Sequence, residues 1–364
     1  MFYAIADIHL ANHRMFGGVY KAGLNERAQT IASTMRRAVD IATSDDKLLV
    51  LGDVFDTDAP APALICAAQL ALAGKNVHVT KGNHDMSSTD PGHNACAPLA
   101  GHCVVEETPA VLLADKAGLT AGVMVPFATP VRETILAALE VAKASPAWRA
   151  ASQRLVFGHW GIASPDDPIY LRGSRDAIDA KELAELCFEH DVCGVAAGNW
   201  HKRRQFEFSR EGHNPVRLLQ VGGLTPTGFD NPGWVGYGTV ASWNAAKAAW
   251  QYRELPGPRF LRHMPTMEEL AAHAGCQVYV RVDGTSADQE NLREQLAALP
   301  LAGRQTRVVN AEKIAAAKAS AHAAAAANTV ESALAGFIEK MKLPEHADRE
   351  ETKQLAQQYL AGVA

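Results

Sequence analysis

The sequence predicts an α/β fold in which two sheets pack face to face with helices on both outer faces. Two observations carry this. Over roughly the first half, apolar strand-like runs alternate with amphipathic helical stretches. From QFEFS onward, strand-like runs follow one another at short intervals with Gly and Asn turns between them. Two packed sheets flanked by helices, a four-layer αββα sandwich, accommodate both halves. A third observation points to function: five apolar runs end in oxygen or imidazole side chains, and one sheet edge would gather them.

The central run is KLLVLGDVFD. Lys47 to Leu51 suits a strand buried on both faces. The chain then turns at Gly52 and delivers Asp53 and Asp56. FYAIA leads to Asp7-Ile8-His9, and NVHVTK to Gly82-Asn83-His84-Asp85. RLVF leads to Gly158-His159-Trp160, and VCGVAA to Gly198-Asn199-Trp200-His201. A lone Asp or His after a strand is usually a turn residue. Five such pieces in order, each closing an apolar run, reverse that reading.

The remaining elements follow from spacing. Leu24, Ile31, Met35 and Val39 give a helix from Asn25 to about Thr43. Pro60 and Pro62 open a second, ended by Gly74. Residues 87–101 are rich in Pro, Gly, Asn and Ser and read as a loop beside the site. CVVEE, AVLLA and LTAGVMVPF read as strands, Val131 to about Ala144 as a helix, and Ala180–His190 as another. QFEFS, VRLLQV, GTVASW and AAWQYREL complete the strand-rich part. Leu255-Pro256-Gly257-Pro258 reads as a boundary, so 1–258 forms the main domain. Within 259–315, QVYVRVD, a helix at Asn291–Leu299 and a strand at Gln305–Val309 make a small α+β module. Residues 316–364 read as helical, with Leu334, Phe337, Ile338 and Met341 forming an apolar stripe that either packs on its own domain or docks a partner.

Composition narrows the function. The chain has 364 residues, 48% hydrophobic and 21% charged, an ordinary globular profile. No apolar run reaches the ~18 residues of a membrane span. No basic leader or cleavage site precedes the first strand. The six cysteines are scattered, and they read as reduced in a cytoplasmic protein. His93, Cys96, His102 and Cys103 fit no zinc-finger spacing and read as ordinary loop residues. A net charge of −5 excludes broad electrostatic coating of nucleic acid but leaves room for a local basic groove.

The clustered residues suit two divalent ions roughly 3.5–4 Å apart. Asp53 is the natural bridge. Asp7, His9 and His201 would complete one ion's ligands, and Asn83, His159 and Asn199 the other's. Oxygen and imidazole donors without thiolate point first to Mn²⁺, with Mg²⁺, Fe²⁺ or Zn²⁺ as alternatives. Such a pair acidifies a water for in-line attack on phosphorus. His84 stands where it could protonate a departing alkoxide. Asp56 could hold His84 or a ligand histidine in one tautomer, and Asp85 likewise.

At this point the chain resembles the calcineurin-like metallophosphoesterases, through Asp7-x-His9, Gly52-Asp53-x-x-Asp56, Gly82-Asn83-His84-Asp85, Gly158-His159 and Gly198-x-x-His201. ADIHL, GDVFDT and GNHD look most like the nuclease subunit of SbcCD-type DNA repair complexes. The superfamily's serine/threonine phosphatases read GDxxDRG and GNHE, whereas here Thr57 follows Asp56 and Asp85 stands in place of Glu. LLQVGGLTPTGFDN at 218–231 is similar to that family's loop after the site, 259–315 to its DNA-capping domain, and the terminal helices to its grip on the partner ATPase.

The resemblance implies a metal-dependent DNA exonuclease or endonuclease working in repair or recombination with an SbcC-like coiled-coil ATPase, usually as a homodimer. It makes Asp7, His9, Asp53 and His201 ligands of one metal, and Asp53, Asn83 and His159 ligands of the other, with His84 assisting cleavage. Asn199 departs from the pattern, since the family usually has His there. A neutral amide oxygen there implies either a second metal held more loosely than the first or a water in place of that ligand. Lys202, Arg203 and Arg204 follow His201 directly, which places them near the rim, where at least one is expected to contact DNA phosphate. Two rivals remain. A small-molecule phosphodiesterase or phosphatase would not need the ~105 residues after Pro258. A scaffold with a structural metal site would not need so complete a ligand set.

Overall fold

The computed structural model describes residues 1–310, apart from 75, 91, 115–118, 229–237, 273–276, 286 and 300–304, together with 350 and 354. The chain divides into two compact units, Met1–Arg281 with Leu299–Thr306, and Val282–Ala298 with Arg307–Ala364.

The first unit holds two six-stranded sheets. In the first sheet the order is Ala249–Glu254, Thr239–Asn244, Phe2–Ile5, Lys47–Leu51, Val77–Thr80 and Val104–Val105. The last four of these run parallel, and the other two join antiparallel. In the second sheet the order is Arg204–Phe208, Val216–Gln220, Gly194–Gly198, Gln153–His159, Thr120–Val125 and Ala110–Leu113. Its four inner strands are parallel and its two edge strands antiparallel.

The alternation along the strands builds the layers. Phe2, Ala4, Leu49 and Leu51 of the first sheet meet Leu155, Phe157, Ala196 and Leu219 of the second in one buried cluster. The rings of Phe2 and Phe157 lie 5.1 Å apart across it. The intervening residues Ile5, Leu48 and Val50 face the other way, onto the helices Glu26–Val39 and Pro62–Leu72. Val123, Val156 and Val195 likewise pack on Val131–Ala144, Pro146–Ala150 and Ala180–Glu189. The molecule is therefore the expected mixed α/β sandwich with helices outside both sheets. Asn25 caps the first helix, its side chain accepting from the Ala28 N–H, so the helix starts one residue later than the spacing predicts, and it ends about four residues earlier, at Val39.

Some elements were not foreseen. Gly161–Ala163 and Ala177–Asp179 form a two-stranded parallel ribbon bracketing a short helix, Ile169–Arg172. Pro258–Leu261, which begins at the last residue of the Leu255-Pro256-Gly257-Pro258 stretch, is a buried strand parallel to the one beginning at Gln277. Phe260 and Tyr279 from this pair stack on each other, and the buried Arg27 guanidinium lies 4.8 Å from the Phe260 ring centroid. The second unit contains the helix Gln289–Ala298. The expected helices of 316–364, with their apolar stripe, lie outside the described residues apart from 350 and 354.

Candidate metal centre

Parallel strands present the same end to one edge, and the chemistry-bearing residues follow their carboxyl ends. Asp7 and His9 follow Phe2–Ile5, Asp53 and Asp56 follow Lys47–Leu51, and Asn83 and His84 follow Val77–Thr80. In the other sheet His159 ends its strand, and Asn199 and His201 follow Gly194–Gly198. The first two loops are locked by backbone bonds: Ile8 N–H and His9 N–H both donate to Asp53 O, at 2.9 and 3.0 Å. The two sheets are tied at the same place, where His159 Nδ1 donates to Leu51 O at 2.7 Å.

The turns are tight enough to be strained. Asp7, His9, Asp53 and Asn199 all have positive φ, at 49°, 50°, 50° and 87°. Left-handed backbone costs a non-glycine residue roughly 1–2 kcal/mol and is concentrated at functional sites. Gly82 is required by the approach of Asp53, whose Oδ1 would lie 2.1 Å from a Cβ placed there.

Three overlapping groups could each hold an ion, with ligand atoms within 4.8 Å of one another: Asp7, His9 and His201; His9, Asp53 and His84; Asp7, Asp53 and His159. Asp7, His9 and Asp53 each belong to two of the groups, and Asp53 faces a histidine on either side. Its Oδ2 is 3.4 Å from His159 Nε2 and 3.7 Å from His9 Nε2. Asn83 Oδ1 is 2.9 Å from His159 Nε2. His9 Nε2 and His201 Nε2 face each other at 3.0 Å.

The donors fit divalent metal on three counts. Asp7 Oδ2 is buried with no hydrogen-bond partner among the described residues. His159 spends its Nδ1 proton on Leu51, which turns the Nε2 lone pair of the neutral ring toward two oxygen acceptors. Asp56 Oδ1 accepts from His9 Nδ1 at 3.1 Å and orients that ring in the same way. Lone pairs that converge from several sides call for a cation at their centre.

Without one, protons share the work. Burial would lower His159, but the Asp53 carboxylate overrides it and lifts the imidazole to about 9. Burial also opposes protonation of His9, but its bond to Asp56 together with the charges of Asp53, Asp7 and Asp56 outweighs that and raises it. Burial disfavours an ionised Asp53, yet the His159 imidazole holds it below the usual carboxylate range. Burial pushes Asp7 up to about 6, against the pull of His159. His201, driven down by burial and by His9, falls to about 3 and offers a neutral nitrogen.

Around this cluster the remaining expected residues take definite places. His84 N–H donates to Asp53 Oδ1 at 2.9 Å, its Nδ1 lies 3.3 Å from Asp56 O, and its ring packs edge-on to His9. Asp85 orients no histidine. It is fully buried, and its carboxylate accepts from the N–H groups of Gly82, Val54 and Phe55 at 2.9, 3.2 and 3.0 Å, tying two ligand loops together. Asp85→Ala leaves three buried donors without an acceptor. Its expected cost is about 3 kcal/mol, because each unpaired buried donor costs ~1–3 kcal/mol and loss of a buried charge offsets part of the sum. Urea denaturation checks this; an unchanged midpoint would show that other groups satisfy those donors.

Two of the three basic residues at the rim are engaged. Arg204 grips Asp167 with both carboxylate oxygens within 2.9 Å and also reaches Ser164. Arg203 lies 3.5 Å from the Tyr252 ring centroid and 3.5 Å from Glu254 Oε1. Lys202 is the exposed one. Asn199 donates its backbone N–H to Asp7 Oδ1 at 2.8 Å and its side-chain Nδ2 to Asp176 O and Oδ2, both at 3.2 Å. Sequence reasoning missed Asp176, which immediately precedes the second strand of the unforeseen ribbon.

A family model, calcineurin-like phosphoesterase, matches residues 1–203, over half of the chain. The chain belongs to that family. The Asp/His groups just described fit that family and are its candidate metal-binding residues here. No curated protein matches the sequence. Among solved structures, the chain is similar to the purple acid phosphatase PPD1 of yellow lupin (Lupinus luteus) seeds, at 12% identity and a TM-score of 0.41, covering 61% of this chain and 43% of that one. It is also similar to a candidate 5'-nucleotidase of Staphylococcus aureus, determined with alpha-ketoglutarate, at 11% identity and a TM-score of 0.40, covering 70% and 52%. The chain thus spans about half the length of either protein. Among the described residues, no helix is long and apolar enough to cross a membrane.

Proposed function

We propose that this metallophosphoesterase is a DNA nuclease hydrolysing phosphodiester bonds, with two divalent ions, Mn²⁺ first among them, and an SbcC-like ATPase as partner. The observation that carries the hydrolytic part is the Asp53 carboxylate facing His159 and His9 together, with the His84 backbone N–H donating to it. Asp7, His9, Asp53 and His201 would hold one ion, and Asp53, Asn83, His159 and Asn199 the other. Bound there, the ions supply Lewis-acid charge to a phosphoryl group and acidify water. The chain's own residues do the rest: Asp56 orients His9, Asp85 fixes the loops, and His84 holds a proton for the departing oxygen. GDVFDT, GNHD and the length of chain beyond the two sheets support DNA as substrate and a repair partner.

One observation favours a second reading, a small-molecule phosphodiesterase or phosphatase. Arg203 and Arg204 are tied to acidic and aromatic neighbours, so the expected basic rim is reduced to Lys202. The test compares hydrolysis of linear duplex DNA and of bis-p-nitrophenyl phosphate, each with and without Mn²⁺. Cleavage of both supports the nuclease; cleavage of the small ester alone supports the second reading. If DNA is the substrate, Lys202→Ala lowers the salt slope of duplex binding by about one unit. An unchanged slope would remove Lys202 from the DNA contact.

A further inference from the structure

The backbone of Asn199 is wedged between two members of the candidate centre. Its N–H donates to Asp7 Oδ1 at 2.8 Å, and a Cβ on the preceding Gly198 would lie 2.9 Å from His159 Nδ1. The backbone of Asn199 therefore lies beside the Asp7, Asp53 and His159 group, and its side chain reaches Asp176. An asparagine there has a problem that histidine lacks. Its amide can present oxygen, a ligand, or NH₂, which cannot ligate.

Asp176 decides between them. Its backbone carbonyl and its Oδ2 both stand 3.2 Å from Asn199 Nδ2. A flipped amide would set Oδ1 against two acceptors, one of them charged. Asp176 is itself held: Ser174 Oγ donates to Oδ1, and Gly161 N–H donates to its carbonyl at 2.9 Å, part of the ribbon Gly161–Ala163 and Ala177–Asp179. The NH₂ is thus fixed toward a rigid acceptor pair, and Oδ1 is turned away from it.

We infer that Asp176 is a positioning residue that orients the Asn199 amide so that its oxygen serves the second divalent metal. This rests on the dinuclear reading given above. It touches neither substrate nor the reacting atoms, and it acts through Asn199. The ribbon then has a role: it brings an acidic side chain 23 positions before Asn199 to the back of an otherwise ambiguous ligand.

Calorimetric titration of the metal-free protein with Mn²⁺ tests it, with circular dichroism to confirm folding. Wild type should bind two ions. Asp176→Ala should weaken one site about 10-fold and leave the other unchanged. Asp176→Asn, which keeps an acceptor for the amide but loses the charge, should retain wild-type affinity. In an Asn199→Ala background, Asp176→Ala should do nothing further. Two unchanged sites in Asp176→Ala overturn the proposal, as does equal weakening in the Asn199→Ala background. Loss of affinity in Asp176→Asn matching that of Asp176→Ala also overturns it, since charge rather than orientation would then be at work, and if the alanine variant is poorly folded, weakened binding in a folded Asp176→Asn overturns it by itself. Fewer than two ions in wild type would instead remove the dinuclear reading itself, and this inference with it.

Discussion

Asp53→Asn is expected to abolish phosphoesterase activity in a protein that still folds. The side chain is buried, and its Oδ2 faces both His159 and His9. It faces one histidine from each proposed ion's ligand set, so one substitution removes negative charge from both candidate positions. Asparagine keeps the shape, and its oxygen can still accept the His84 N–H now bonded to Oδ1. It also fits the narrow space opposite Gly82 that Asp53 already fills. The fold should therefore survive while the centre fails. A rate loss of at least ~10³-fold is expected, equivalent to about 4 kcal/mol of transition-state stabilisation. Mn²⁺ stoichiometry should fall below two. Near-normal metal content with full activity would show that Asp53 is not the bridge.

Much of this centre was legible because each key residue directly follows an apolar run. A buried strand needs no side chain from elsewhere to fix where it ends, so Asp7, Asp53, Asn83, His159 and His201 could be placed at strand ends from local pattern, although they come from two sheets rather than the one edge expected. What depended on remote partners was not legible. Arg203 and Arg204 sit beside His201 in sequence, but Glu254 and Asp167, which engage them, lie 51 and 37 residues away. Asp176 reaches Asn199 only through a ribbon of three-residue strands, too short to show a period. Arg27 looks like an ordinary helix-surface cation, yet it is buried, bonded to Met15 O and Thr227 O and stacked near Phe260. The Leu-Pro-Gly-Pro stretch reads as a linker because its composition breaks local structure, while a strand partner beginning at Gln277 makes Pro258–Leu261 part of a sheet.

His84→Ala is the second large effect expected, and its value lies in separating two roles that the geometry brings close together. A ring nitrogen of His84 lies within 4.8 Å of ligand atoms of His9 and Asp53, so it could hold an ion. Yet Nδ1 lies 3.3 Å from Asp56 O, and the ring is exposed, as a group that meets substrate must be. With Nδ1–H donating to that carbonyl, Nε2 is the atom left to deliver a proton to the departing oxygen. Loss of such a group costs ~10²–10⁴ in rate. The deficit should depend on the leaving group. A deoxyribose alkoxide needs the proton badly, whereas p-nitrophenolate departs without one. His84→Ala should therefore keep two Mn²⁺ ions, lose ~10²–10⁴ on a phosphodiester with an alkoxide leaving group, and lose far less on bis-p-nitrophenyl phosphate. An equal deficit on both substrates would exclude leaving-group protonation. Loss of an ion would make His84 a ligand and hand the proton transfer to another residue.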